Sequence, residues 1–147
     1  MKIKFNVSSK IKKQETIEKV KLVLFDCMVK MHELAVINCP VDTSLLVNSI
    51  KIFPSVPGAK SYILADGVTY GIDVEFGTDP HVVKAAELKG WVKRQLGVSG
   101  KGVGLVAKRV AEKIEKKGTE AQPFFRPALD QVKNVWIKRY WERDLGK

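Results

Sequence analysis

The chain has 147 residues, 45% hydrophobic and 29% charged, with 26 Lys and Arg against 16 Asp and Glu for a net charge of +10. That length suits one domain, 1–147, around a single core, and no stretch reaches the roughly 20 apolar residues of a membrane span. Met1–Phe5 alternates charge with apolar character and lacks the continuous apolar run of a secretory leader, so the chain is expected to stay inside the cell that makes it.

Lys2 to Val7 alternates with period two, so residues 1–10 are predicted to form an arm or a short strand. From Lys12 to Asn38 the spacing turns helical, with Ile17, Val20, Leu24, Cys27 or Met28, Met31, and Leu34 or Ala35 on one side. A second stripe, Leu22, Phe25, Val29 and Val36, lies on another face. It fits either a helix buried on two sides of its own domain or a contact with a neighbouring subunit. Cys27 and Cys39 are twelve residues apart, about 18 Å along a straight helix, and are read as reduced core thiols.

Pro40 ends the helix. Asp42 or Thr43 is then placed to cap a short helix that exits at Asn48-Ser49. Ile50–Val56, Lys60–Ala65 and Val68–Phe76 read as three antiparallel strands, separated by Pro57-Gly58 and by the tight-turn pair Asp66-Gly67. Helical spacing returns over Ala85–Leu96, a flexible glycine loop follows at 97–104, and Val103, Val106, Val110 and Ile114 make a clean stripe up to Gly118. Pro127 suits the first turn of a last helix carrying Leu129, Val132, Trp136 and Tyr140 to about Arg143. The expected fold is α+β: a small antiparallel sheet of three to four strands packed against one long N-terminal helix and two or three shorter C-terminal helices.

Signals for chemistry are weak. Gly100-Lys101 lacks the rest of a phosphate-binding loop, having Gln95 where a glycine is needed and Gly102 in place of Ser or Thr. His32 and His81 show no metal-ligand spacing, so neither a metal nor a cofactor is expected. Asp73 and Glu75 would share one side of the third strand, as a general acid and base do, but equally as the polar face of a strand whose other face is Ile72, Val74 and Phe76. Basic residues cluster at Lys10–Lys13, Lys93-Arg94, Lys108–Lys117 and Lys138-Arg139. These are wet helix faces, or phosphate contacts if several converge.

Three segments in series carry a resemblance: Pro40-Val41-Asp42-Thr43 with Leu46 and Asn48-Ser49-Ile50; Tyr70 with Val74-Glu75-Phe76-Gly77-Thr78; and Gly118-Thr119 with Gln122-Pro123-Phe124 and Arg126-Pro127-Ala128-Leu129. Together, over residues 12–142, they resemble the tail-component family of long-tailed bacteriophages and prophages, which includes tail-completion and head–tail joining proteins. The family pattern usually has Gly after Asp-Thr and basic residues nearby, where this chain has Ser44, Leu45 and Val47 and a more apolar turn, and the stretch Val82 to Lys117 is long for the family's compact members.

The resemblance implies a non-enzymatic virion protein of the neck or upper tail, assembled in the host cytoplasm. It would assemble with itself into a ring, typically a hexamer, against tail-tube or terminator subunits and the neck connector, with DNA passing through the lumen without sequence-specific binding. It also implies fold roles: Asp42 and Thr43 fix the first turn, Gly77 reverses the backbone after Glu75-Phe76 and before Thr78, and Pro123, Phe124 and Pro127 lock the last helix. The alternatives from other classes are a small basic nucleic-acid-binding module, which the charge favours, and a hydrolase built on Asp73, Glu75 and His81.

Overall fold

The computed structural model describes residues 2–6, 14–55 and 61–145. The basic cluster Lys10–Lys13 and the Pro57-Gly58 turn lie outside them. The elements in order are β1 (Lys2–Asn6), α1 (Gln14–Asn38), α2 (Leu45–Ser49), β2 (Lys51–Pro54), β3 (Ser61–Ala65), α3 (Gly71–Phe76), α4 (Ala85–Leu96), α5 (Gly102–Lys117), α6 (Phe125–Gln131) and α7 (Ile137–Asp144). A π-helical turn, Val132–Trp136, joins α6 to α7, so the two run on as one C-terminal helix with a single widened turn.

The architecture is mixed helix and sheet. α1 contains neither Gly nor Pro over 25 residues and is the central element, with the sheet on one flank and the α6–α7 helix on the other. Its residues Val23, Cys27, Met28, Met31 and Ala35 recur at steps of one to four and enter the main core. There they meet Leu46, Ile50, Leu64, Phe124, Phe125, Ala128 and Val132. This burial takes up only part of the second stripe. Val36 packs at the margin of the core, and Phe25 leans on Tyr62 of β3 with ring centroids 5.4 Å apart. Val29 is half-buried, whereas Leu22 remains 60% exposed and Phe25 43%.

The sheet differs from the expected meander. Its order is β1-β3-β2, all antiparallel, with Lys2 opposite Ala65 on one edge of β3 and Lys51 opposite Ala65 on the other. β3 is therefore central, and its Leu64 and Tyr62 turn with Ile52 toward the core while Phe53 stays exposed. Adding the N-terminal arm to the three predicted strands would give four, and the sheet has fewer, because Val68–Phe76 is not a strand. It becomes a bend followed by α3. The Asp66-Gly67 pair does not close a two-residue hairpin; the chain turns away, and the Asp66 carboxylate folds over Gly71, where a Cβ would lie 2.6 Å from Oδ1. The edge of β3 that a hairpin would have used belongs to β1.

Residues 85–117 form a separate helical hairpin. α4 and α5 bury Val92, Val103 and Ala107 between them, with Ala85, Leu88, Val98 and Val106 around this small second core. The turn is made by Gly97 and Gly100, both at φ 63°, in the left-handed region where glycine carries no steric penalty. The predicted loop 97–104 is shorter than expected, since α5 already begins at Gly102.

Candidate functional site

Two of the three segments that carry the resemblance, the second and the third, meet in one junction. Glu75 lies on α3 and is 1% exposed, with both carboxylate oxygens used. The amides of Phe124 and Phe125 donate to its Oε2 at 2.7 and 2.9 Å, and the Arg126 amide donates to Oε1 at 2.9 Å. The first amides of a helix have no partner within it. None of the residues opening α6 supplies a side-chain cap, so a carboxylate from about fifty residues earlier does so, and its negative charge also suits the positive end of the helix. This corrects the strand reading of Asp73 and Glu75. On α3 they do not share a face: Asp73 is exposed and Glu75 points inward.

Three residues after Glu75, the chain doubles back against a distant segment. Thr78 and Thr119 form an isolated antiparallel bridge, N to O at 3.1 and 3.2 Å, and their hydroxyls lie 2.9 Å apart. Gly77 at φ 74° and Gly118 at φ 69° flank it. A Cβ on Gly118 would fall 1.8 Å from the Thr78 carbonyl oxygen and one on Gly77 2.5 Å from that of Thr119, so both glycines are required by backbone contact as well as by conformation. The Gln122 amide donates to the Val74 carbonyl at 2.8 Å. Phe124 and Phe125 are fully buried with centroids 4.6 Å apart, and the Arg126 guanidinium sits over the Phe76 ring at 4.9 Å. Pro123 is exposed at this corner, and half-buried Pro127 lies in the first turn of α6.

The first segment makes a different contact. Neither Asp42 nor Thr43 caps α2; the residue before that helix is Ser44, at φ 61° and ψ 3°, without a side-chain cap. Ser49 closes α2 by donating to the Leu46 carbonyl at 2.7 Å. Asp42 instead accepts a two-pronged pair from Arg94 of α4, Nε to Oδ1 at 2.7 Å and a terminal nitrogen to Oδ2 at 2.6 Å. Gln95 adds bonds to Asp42 Oδ1 at 3.1 Å and to the Val41 carbonyl at 3.0 Å. Nothing in the sequence marked Arg94 or Gln95 for this role, because a polar pair in the last turn of a helix reads as solvated surface.

The α4–α5 hairpin is thus joined to the body at its base, through the Thr78–Thr119 bridge, and at the Asp42 tether. Between them runs a cleft with two lobes of about 450 and 590 Å³. Tyr70, Val74, Trp91 and Gln122 line both lobes. Val41 and Leu45 form an exposed apolar lip on the first, while His81, Lys113 and Glu120 edge the second.

The tether is sensitive to acid. Hydrogen bonds from Arg94 and then from Gln95 hold the Asp42 carboxyl down at about 2, below its ordinary 3.8. A carboxyl whose pKa is lowered on folding contributes above the unfolded value and loses that contribution as pH falls through the folded value. The tether is therefore expected to be intact above about pH 4 and to open as pH approaches 2. Amide exchange across α4, followed against pH, would check this. Asp42→Asn should show the low-pH exchange pattern already at pH 7, and an unchanged pattern in that variant would refute the assignment.

Of the other titratable candidates, His32 and the two cysteines are taken up by the fold, and His81 is exposed at the cleft edge. His32 donates from Nε2 to the Ile50 carbonyl at 3.1 Å, tying α1 to the start of β2. His81 donates from Nδ1 to the Asp79 carbonyl at 2.8 Å rather than pairing with the Asp79 carboxylate. Cys27 and Cys39 are buried free thiols, both pushed up to about 11, chiefly by burial. Among the described residues no three His, Cys, Asp or Glu gather as a metal site, and no helix is long and apolar enough to cross a membrane.

Comparison of the chain with family models, with curated proteins and with solved structures finds no match in any of the three.

Proposed function

We propose that this chain is a structural virion subunit, a ring-forming tail-completion or head–tail joining protein of the neck or upper tail of a long-tailed bacteriophage. The observation that carries the reading is the convergence of the second and third resembling segments. Glu75, Gly77, Thr78, Gly118, Thr119, Gln122 and Phe124 are far apart in sequence yet form one junction that seats the last helix on the body. A motif composed of framework residues suits a subunit whose task is to hold a shape and present surfaces.

Ser44, a departure from the tail-component pattern, remains compatible with it. The tail-component pattern has glycine at this position, and here the backbone is left-handed, the conformation that glycine adopts without cost. Exposed apolar side chains on several elements, among them Leu22, Phe25, Ile37, Leu45 and Phe53, are surface that a ring of like subunits and its tail-tube, terminator or connector neighbours would cover.

The test is deletion of the gene from its phage or prophage, with electron microscopy of the induced lysate beside one complemented from a plasmid. Filled heads with separate tails, or tails of uncontrolled length, are the expected result. Normal infectious particles would overturn the proposal and leave the small basic nucleic-acid-binding module as the better reading.

A further inference from the structure

The positive charge is concentrated in one part of the fold. Ten of the 26 Lys and Arg but only three of the 16 Asp and Glu lie between residues 84 and 117, so this segment carries +7 of the net +10. The segment is the α4–α5 hairpin with the residue that leads into it, which has its own small core and is held to the body at its base and near its tip, leaving the outer side of α5 free. Arg94 is occupied by Asp42, and Lys108 and Lys113 lie 4.0 and 3.8 Å from Glu112 and Glu120. Lys84, Lys89, Lys93, Lys101, Arg109, Lys116 and Lys117 are exposed and have no ion pair among the described residues. On α5 and the residue that precedes it, the positions of Lys101, Lys108, Arg109 and Lys116 fall within about 100° of one another around a 3.6-residue helix, opposite the inward stripe Val103, Ala107 and Ile114. Glu112 and Glu115 are interspersed on that side and moderate its charge without reversing it.

We infer that the α4–α5 hairpin is an arm that binds the sugar-phosphate backbone of double-stranded DNA without reading its sequence. The composition of its surface selects this partner. A protein interface needs a desolvated apolar centre, with charges mostly at the rim. The large apolar side chains exposed on the arm are Trp91, which lines the cleft, and Leu96 and Leu105. A phosphate backbone needs only spaced, mobile cations. The 16 residues of α5 extend about 24 Å, close to seven base-pair steps of duplex, so several cations reach successive phosphates. Trp91 is the one aromatic ring of the arm and lines the cleft, so the basic face of α5 offers none to stack unpaired bases, which favours duplex over single strands.

This inference rests on charge placement and not on ring assembly, so its test uses the isolated full-length chain and can fail without the assembly reading failing. Binding of a fluorescent 30-base-pair duplex is measured by anisotropy over roughly 50–200 mM NaCl. The triple variant Lys108→Gln, Arg109→Gln, Lys116→Gln is compared with a control of equal charge change on the body, Lys51→Gln, Lys133→Gln, Lys138→Gln. Each phosphate contact contributes about 0.9 to the salt slope, so the arm variant should flatten it by about 2 to 3 and weaken binding at the low-salt end at least tenfold. The control should stay close to wild type. Lys116→Gln alone should flatten the slope by about 1, which guards against any disturbance of the fold in the triple variant. Equal losses in the two triple variants, or no salt-dependent binding of duplex by the wild-type chain, would overturn the inference. So would tighter binding of polyglutamate than of duplex at matched charge, because the arm would then fit an acidic protein surface.

Discussion

Replacing Glu75 with alanine is expected to destabilise the folded chain by about 5 kcal/mol, measured by urea denaturation. Three backbone amides lose a charged acceptor at once, in a place where water cannot replace it, and each buried donor left without a partner costs about 1–3 kcal/mol. Total stabilities of single domains are about 5–15 kcal/mol, so this one change should leave the chain largely unfolded or close to it. Glu75→Gln should cost less, about 2–3 kcal/mol, because one oxygen can still accept while its amino group meets an amide that also donates. Asp73→Ala, on the exposed side of the same short helix, should stay within about 0.5 kcal/mol of wild type. A wild-type denaturation midpoint for Glu75→Ala would remove the capping role, and with it the observation that carries the proposed function.

The second large effect is expected at Phe124. Its ring is fully buried, packs on Phe125 and belongs to the core that Met28, Met31, Leu64 and Val132 complete. Truncation to alanine removes that transfer energy and leaves a cavity, about 3–5 kcal/mol together, read as a lower thermal midpoint. Melting like that of wild type would contradict the locking role. Phe124 is also the residue whose amide Glu75 binds, so the two changes touch one seat and should not add. In a thermodynamic cycle the double variant should lose measurably less than the two single losses combined.

In the sequence, helices were easier to read than the sheet, and α3 shows why. Ile72, Val74 and Phe76 alternate with Asp73 and Glu75, the pattern of a half-buried strand. The structure keeps Ile72 and Phe76 largely exposed and buries the glutamate. The pattern misled because period-two alternation presumes that apolar side chains go inward, whereas this acid is drawn in by three amides some fifty residues away. The cap on α2 failed for a related reason. Asp42 is a good local acceptor, but a guanidinium from α4 binds it more strongly than a free amide of the next turn would.

The sequence by itself determined the long first helix ended by Pro40, the helical hairpin with its glycine turn, the stop at Gly118 and the start of the last helix near Pro127. It also determined the excess of positive charge on the hairpin. These follow from interactions within a few residues: 3.6-residue spacing, missing amide hydrogens, left-handed glycines and the count of charges along a segment. Only the tertiary structure decided which strand borders β3, that Glu75 rather than a local side chain caps the last helix, that Thr78 meets Thr119, and that Asp42 ties the hairpin to the body. Each of these joins groups tens of residues apart, and their pairing is set by which partner the packed core brings within hydrogen-bonding distance.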